Sequence, residues 1–95
     1  MRNYEVGLIV HPEVNPDALN SLLEKVKGWI TESGGSITKI DQWGKRRLAY
    51  PIRKQQDGVY IFLYAEMPPS VTASIERNLR LTEQILRFSI ILPES

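Results

Sequence analysis

Apolar and polar residues alternate at period two along several stretches of this chain, and elsewhere apolar residues recur at helical spacing. The first alternating stretch is Asn3 to Val10. There Tyr4, Val6, Leu8 and Val10 project to one face of a strand, and Asn3, Glu5, Gly7 and Ile9 to the other. One apolar face opposite a mixed one suits an antiparallel sheet covered on a single side. His11-Pro12 ends the strand, and Asn15-Pro16-Asp17 predicts a helix start: Asn15 caps free amides, Pro16 fits the first helical position and Asp17 complements the dipole. Leu19, Leu22, Leu23, Val26 and Ile30 then share one helical face, and Gly34-Gly35 supplies a left-handed residue that stops the helix near Ser33.

A second strand starts near Ser36 and runs long, through Ile37, Ile40 and Trp43, until Pro51 interrupts it. The spacing from Ile37 to Ile40 breaks strict alternation and predicts a bulge, and Gly44 marks another. Gln55-Gln56-Asp57-Gly58 carries a hairpin signal, after which Val59 to Met67 reads as a third strand. Ile61, Leu63, Ala65 and Met67 line one side of it, and Tyr60, Phe62 and Tyr64 the other. Pro68-Pro69-Ser70 opens a second helix ending near Thr82. Its apolar stripe is Val71, Ile75 and Leu79, and Glu76 and Arg80 are spaced to pair. Ile85 to Leu92 forms the last strand, with Phe88, Ile90 and Leu92 on one side, Arg87, Ser89 and Ile91 on the other, and Pro93 as its stop.

The order is β-α-β-β-α-β. Right-handed crossovers at both helices, with a hairpin between them, give a four-stranded antiparallel sheet in spatial order four, one, three, two, with both helices on one face. This is an α+β fold of the ferredoxin-like split βαβ kind, expected as one domain over residues 1–95. The second and fourth strands are then edges, and Arg87 is placed to pair with Glu5 on the neighbouring strand.

Charge changes the picture more than composition does. The chain is 42% hydrophobic, enough for one core without staples, and it has no cysteine, so disulfides, thiolate metal sites and cysteine nucleophiles are excluded. Met1 to Glu5 lacks a signal-peptide pattern, and no apolar run approaches the roughly 20 residues that span a bilayer, so a cytoplasmic chain with no membrane partner is expected. The formal net charge is +1, yet Lys39, Lys45, Arg46, Arg47, Arg53 and Lys54 face a single acid, Asp41, within one window. That window carries +5 against a remainder of −4, the asymmetry of a site for a polyanion. The near-neutral total predicts weak binding on its own, because an acidic remainder surrounds the patch and only roughly three to five phosphates could be neutralised at once.

Two readings of the patch compete. Lys45, Arg46, Arg47 and Pro51 serve as guards against edge-to-edge aggregation, or the six charges, interleaved with Trp43, Leu48 and Tyr50, form a surface that attracts phosphate and docks a partner. Arg46 and Arg47, as strand neighbours, point to opposite faces, so one reaches RNA and the other supports a neighbour. The stripe Tyr60, Phe62 and Tyr64 has three readings: an RNA-stacking platform, a protein-docking surface, or strand-forming residues covered by nearby side chains and the carboxyl-terminal tail. Against the platform, Asp57 rather than a basic residue precedes Gly58, and the first strand offers Asn3, Glu5 and Gly7 instead of an aromatic.

Catalysis has little to work with. His11 is the only histidine and sits at a strand end, the carboxylates are scattered, and no glycine-rich phosphate loop leads from a strand into a helix. No cofactor is expected. A small-metabolite sensing domain is the alternative that this fold also supports; an acylphosphatase-like enzyme would need an anion-binding loop where Val10-His11-Pro12-Glu13 stands. Arg2, Arg80 and Arg87 lie outside the main patch as single charges.

The opening Met1-Arg2-Asn3-Tyr4-Glu5-Val6, the block Trp43-Gly44-Lys45-Arg46-Arg47-Leu48-Ala49-Tyr50-Pro51-Ile52, Asp57-Gly58 before an aromatic strand, and a last strand containing Arg87 together resemble the bacterial small-subunit ribosomal protein six family over essentially the full length. The resemblance implies a ferredoxin-like structural protein without catalysis. It would bind the central domain of small-subunit ribosomal RNA together with small-subunit ribosomal protein eighteen. It further implies partner contact along Asp41 to Ile52, which makes Arg46, Arg47, Leu48 and Tyr50 interface candidates, beside Trp43, Tyr60, Phe62 and Tyr64 from the reading of the residues. Arg2, Lys54 and Arg87 follow from it as RNA candidates, beside Lys45, Arg46, Arg47 and Arg53 from the charge pattern. The free chain is expected to be a monomer or to self-associate weakly. Many members carry a longer charged tail beyond the position of Ser95.

Overall fold

The computed structural model describes residues 1–92; Pro93, the expected stop of the last strand, and the tail after it lie outside the described residues. Strand β1 spans Arg2–Val10, helix α1 Pro16–Glu32, β2 Ser36–Ile52, β3 Gln55–Met67, α2 Thr72–Arg80 after a 3-10 turn at Pro69–Val71, and β4 Ile85–Ile91. The sheet is antiparallel in the order β2-β3-β1-β4, as the right-handed crossovers require, with β2 and β4 at its edges.

Local chemistry explains both ends of α1. Asn15 Oδ1 accepts the Ala18 amide at 2.8 Å, with Pro16 and Asp17 in the first turn. At the other end Gly34 takes φ +90°. Gly35 is needed for space, since a Cβ there would stand 2.6 Å from the Glu66 carbonyl. Leu22, Leu23, Val26 and Ile30 of α1 and Ile75 and Leu79 of α2 join Val6, Leu8, Ile61 and Leu63 in one buried cluster, so both helices cover the same face of the sheet. Glu76 and Arg80 meet at 3.5 Å, as their spacing predicts.

Both expected bulges are present, between Ile37 and Lys39 and between Gln42 and Gly44, where Gly44 takes φ +83°. The hairpin differs from expectation. Ile52 pairs with Gln55, so the turn is Arg53-Lys54, at φ +48° and +68°, and β3 begins two residues before the Asp57-Gly58 turn signal. Gly58 lies inside the strand instead, where a Cβ would stand 2.5 Å from Ile9 Cγ2. Pro51 does not end β2 either, because on an edge its missing amide costs no ladder bond: Leu48 to Pro51 form a bulge opposite Gln56 alone.

Candidate functional site

The bulges of β2 decide which of its side chains reach the open face. Beyond each bulge the alternation resets, so Lys39, Asp41 and Gly44 stand opposite Tyr64, Phe62 and Tyr60. Trp43, the extra residue of the second bulge, lies over that row. Its ring centroid is 4.8 Å from Phe62, tilted, and 6.5 Å from Tyr60, stacked. Arg46 sits over the Trp43 ring at 5.8 Å and Lys39 over Tyr64 at 5.7 Å. The stripe Tyr60, Phe62, Tyr64 is thus half-buried beneath β2 side chains, and above it Trp43, 54% exposed, reaches solvent. Tyr64 donates to Glu5 Oε1 at 3.2 Å. Partial burial, followed by the Glu5 and Asp41 carboxylates, raises its hydroxyl above the ordinary tyrosine range.

The hairpin arm is the second part of the site. β1 ends at Val10 opposite Val59, so the residues between Lys45 and Val59 have no β1 partner and lean across the sheet end towards β4. Arg87 on β4 donates to the Tyr50 hydroxyl and stacks over its ring at 5.4 Å, while Arg53 donates to the Glu83 carbonyl at 3.4 Å. The expected Arg87–Glu5 pair does not form: the β1–β4 register sets Arg87 beside Ile9 and Glu5 beside Ile91. Leu48 and Tyr50, both expected on a partner-facing edge, separate in exposure. Leu48 is buried against the open-face end of β1, and Tyr50 is exposed.

Of the candidate residues, the structure brings Trp43, Arg46, Tyr60 and Phe62 into one cluster and Tyr50, Arg53 and Arg87 into another. Arg47 turns to Gln56 Oε1 at 3.0 Å. Lys45 and Lys54 are exposed, and Arg2, opposite Met67, lies at the far end of the sheet from the arm. Among the described residues Lys45, Arg46, Arg47, Arg53 and Lys54 form no ion pair with a carboxylate, whereas Lys39 is within 3.6 Å of Asp41. Arg80, set apart by the sequence, comes beside Arg53 and Arg87. Its placement follows from the arm's lean, which no local pattern signals.

His11 has an ordinary turn role: its Nδ1 accepts the Glu13 amide at 3.1 Å. Among the described residues no group of three or more His, Cys, Asp or Glu is placed to hold a metal ion, and no helix is long and apolar enough to cross a membrane.

Comparison with known proteins gives a consistent result. The family model described as ribosomal protein S6 matches residues 3–92. The chain is 42% identical over 91 residues to small ribosomal subunit protein bS6 of Desulforamulus reducens, covering 96% of each chain. It is 43% identical over 94 residues to the bS6 of Paenarthrobacter aurescens, covering 99% of this chain and 93% of that one. The crystal structure of 30S ribosomal protein S6 from Thermotoga maritima superposes with a TM-score of 0.91 at 31% identity, over 97% of this chain and 87% of the other.

Proposed function

The chain belongs to the ribosomal protein S6 family, structural components of the small ribosomal subunit in the cytoplasm rather than enzymes, and from that premise we propose how it is held there. It binds the central domain of small-subunit ribosomal RNA jointly with small-subunit ribosomal protein eighteen. The observation that carries this reading is the basic arm: five cations from Lys45 to Lys54 without carboxylate partners among the described residues, beside an exposed Trp43 seated on Phe62. Unneutralised cations favour phosphate, and an exposed aromatic beside an arginine is the composition of a protein-interface anchor.

The two roles separate along β2. Trp43, Arg46 and the row beneath them meet the partner protein, with Tyr50 at the margin, and Arg53, Lys54 and Arg87 at the arm's tip meet RNA. Leu48 acts from within, holding the bulge against β1. Arg47, engaged with Gln56, supports the arm, and Lys45 and Arg2 add phosphate contacts at the periphery.

Paired substitutions test the division. Trp43→Ala should weaken capture of protein eighteen in the absence of RNA, by about 2 kcal/mol as expected of an anchor. Lys54→Glu should leave that capture unchanged and lower assembly on RNA. Charge reversal at Arg46 and at Arg47 should give unequal losses. A Trp43→Ala protein that captures the partner as well as the parent would remove the interface from this face.

A further inference from the structure

Where the hairpin turn, the end of α2 and the middle of β4 converge, Arg53, Arg80 and Arg87 line one groove of about 220 Å³, several times the ~30 Å³ share of one water. Three separate elements supply the three arginines, and no carboxylate lines the groove. Like charges gathered in this way repel unless an anion joins them.

Each arginine is held in place mostly by neutral groups. Arg53 donates to the Glu83 carbonyl, Arg87 to the Tyr50 hydroxyl, and Arg80 sits over the Phe88 ring at 6.0 Å. The Arg80–Glu76 pair is solvent-exposed and 3.5 Å long, so it neutralises little. A guanidinium has five N–H donors in a planar fork, and these contacts occupy few of them. Phe88 and Leu79 give the groove an apolar wall.

We propose that this groove is a phosphate-binding site, and that it grips a phosphodiester of the RNA backbone with Arg80 as an essential member. The inference rests on the RNA reading above and adds to it a residue and a second phosphate site, beyond the β2 edge. A competing role for Arg80 is local: a cation in the last turn of α2 complements the helix dipole. Arg77 occupies the same last turn and does not line the groove, so it separates the two.

Two measurements test the proposal on the intact chain. In the first, inorganic pyrophosphate is titrated at low salt while the arginine side-chain and backbone NMR signals are followed. Saturable shifts are expected at Arg53, Arg80, Arg87 and the 83–88 backbone, lost in Arg80→Gln, reduced in Arg80→Lys, which keeps the charge but not the fork, and retained in Arg77→Gln. In the second, binding to a central-domain RNA fragment with protein eighteen present is followed across a salt series; the log–log slope should fall by about one in Arg80→Gln and stay unchanged in Arg77→Gln. Absence of saturable shifts, equal behaviour of the Arg77 and Arg80 variants, or an unchanged slope in Arg80→Gln would each overturn the assignment. Failure of the parent chain to bind RNA at all would strike the RNA reading itself, while the pyrophosphate titration reports on the groove independently.

Discussion

Gly58 is glycine because of a neighbour on the adjacent strand: the Ile9 side chain occupies the place of its Cβ at 2.5 Å. Gly58→Ala should therefore destabilise the protein by about 1–3 kcal/mol, the range for forcing an extra methyl into a packed site, read as a lower urea midpoint with an unchanged m-value. A neutral result would mean that Ile9 and Leu48 repack freely. Tyr64 carries a pH signature. Its hydroxyl is raised in the folded state, so the native protein holds this proton more tightly than the unfolded chain does. That stability is fully present below the unfolded tyrosine pKa near 10 and is lost as pH rises through the higher folded value. Thermal melts above pH 10 should show Tyr64→Phe losing less stability with pH than the parent. Parallel curves would show that neither burial nor the Glu5 and Asp41 carboxylates shift this group. Gly58 also shows why a residue can be visible in sequence and yet misread. Asp-Gly is a strong turn signal, and only the packing of Ile9 reveals that the glycine serves a strand.

At the scale of elements, the hairpin arm determines the site. Its turn, Arg53-Lys54, places two non-glycine residues at positive φ, a conformation that costs L-residues about 1–2 kcal/mol each relative to the right-handed region. Replacing the pair by Asn-Gly should stabilise the hairpin by about 1 kcal/mol while lowering the salt slope of RNA binding by about two, as two phosphate-binding cations are lost. Denaturation and the salt series read these separately; a gain in stability with an unchanged slope would exclude the turn from RNA contact. The arm's lean depends on the Arg87–Tyr50 contact. In Tyr50→Ala, amide exchange should quicken across the 48–56 segment while Val6, Leu8 and Leu63 stay protected, and unchanged exchange would show that Leu48 alone holds the arm. The helices, the caps of α1 and the bulges at Ile37 and Gly44 were legible in the chain because each follows from a short pattern with its own geometry. The turn position was not, since Arg-Lys carries no turn chemistry and proline on an edge strand stops nothing. Arg87's partner was equally hidden, because it depends on an overhang that crosses the sheet end.

Across the whole molecule, a near-neutral total charge coexists with a strongly basic arm, and the open face of the sheet is capped by Trp43 on Phe62 and Tyr60. The sheet order followed from the handedness of two crossovers, and the buried cluster from period-two and helical apolar sets. The proposed division of the basic residues between RNA and protein could not follow from charge counting, because it depends on which of them already have neighbours: Arg47 has Gln56, Arg46 has Trp43, and Lys54 is exposed at the tip with no hydrogen-bond or ion-pair partner among the described residues. On the function proposed above, the chain binds RNA as one half of a joint surface. The most direct test is binding of the purified chain to a central-domain ribosomal RNA fragment across a salt series, with and without small-subunit ribosomal protein eighteen. Weak binding alone, strengthened sharply when the partner is added, is the expected result. Equal affinity with and without the partner would contradict the joint surface, and no binding in either condition would contradict the RNA-binding role altogether.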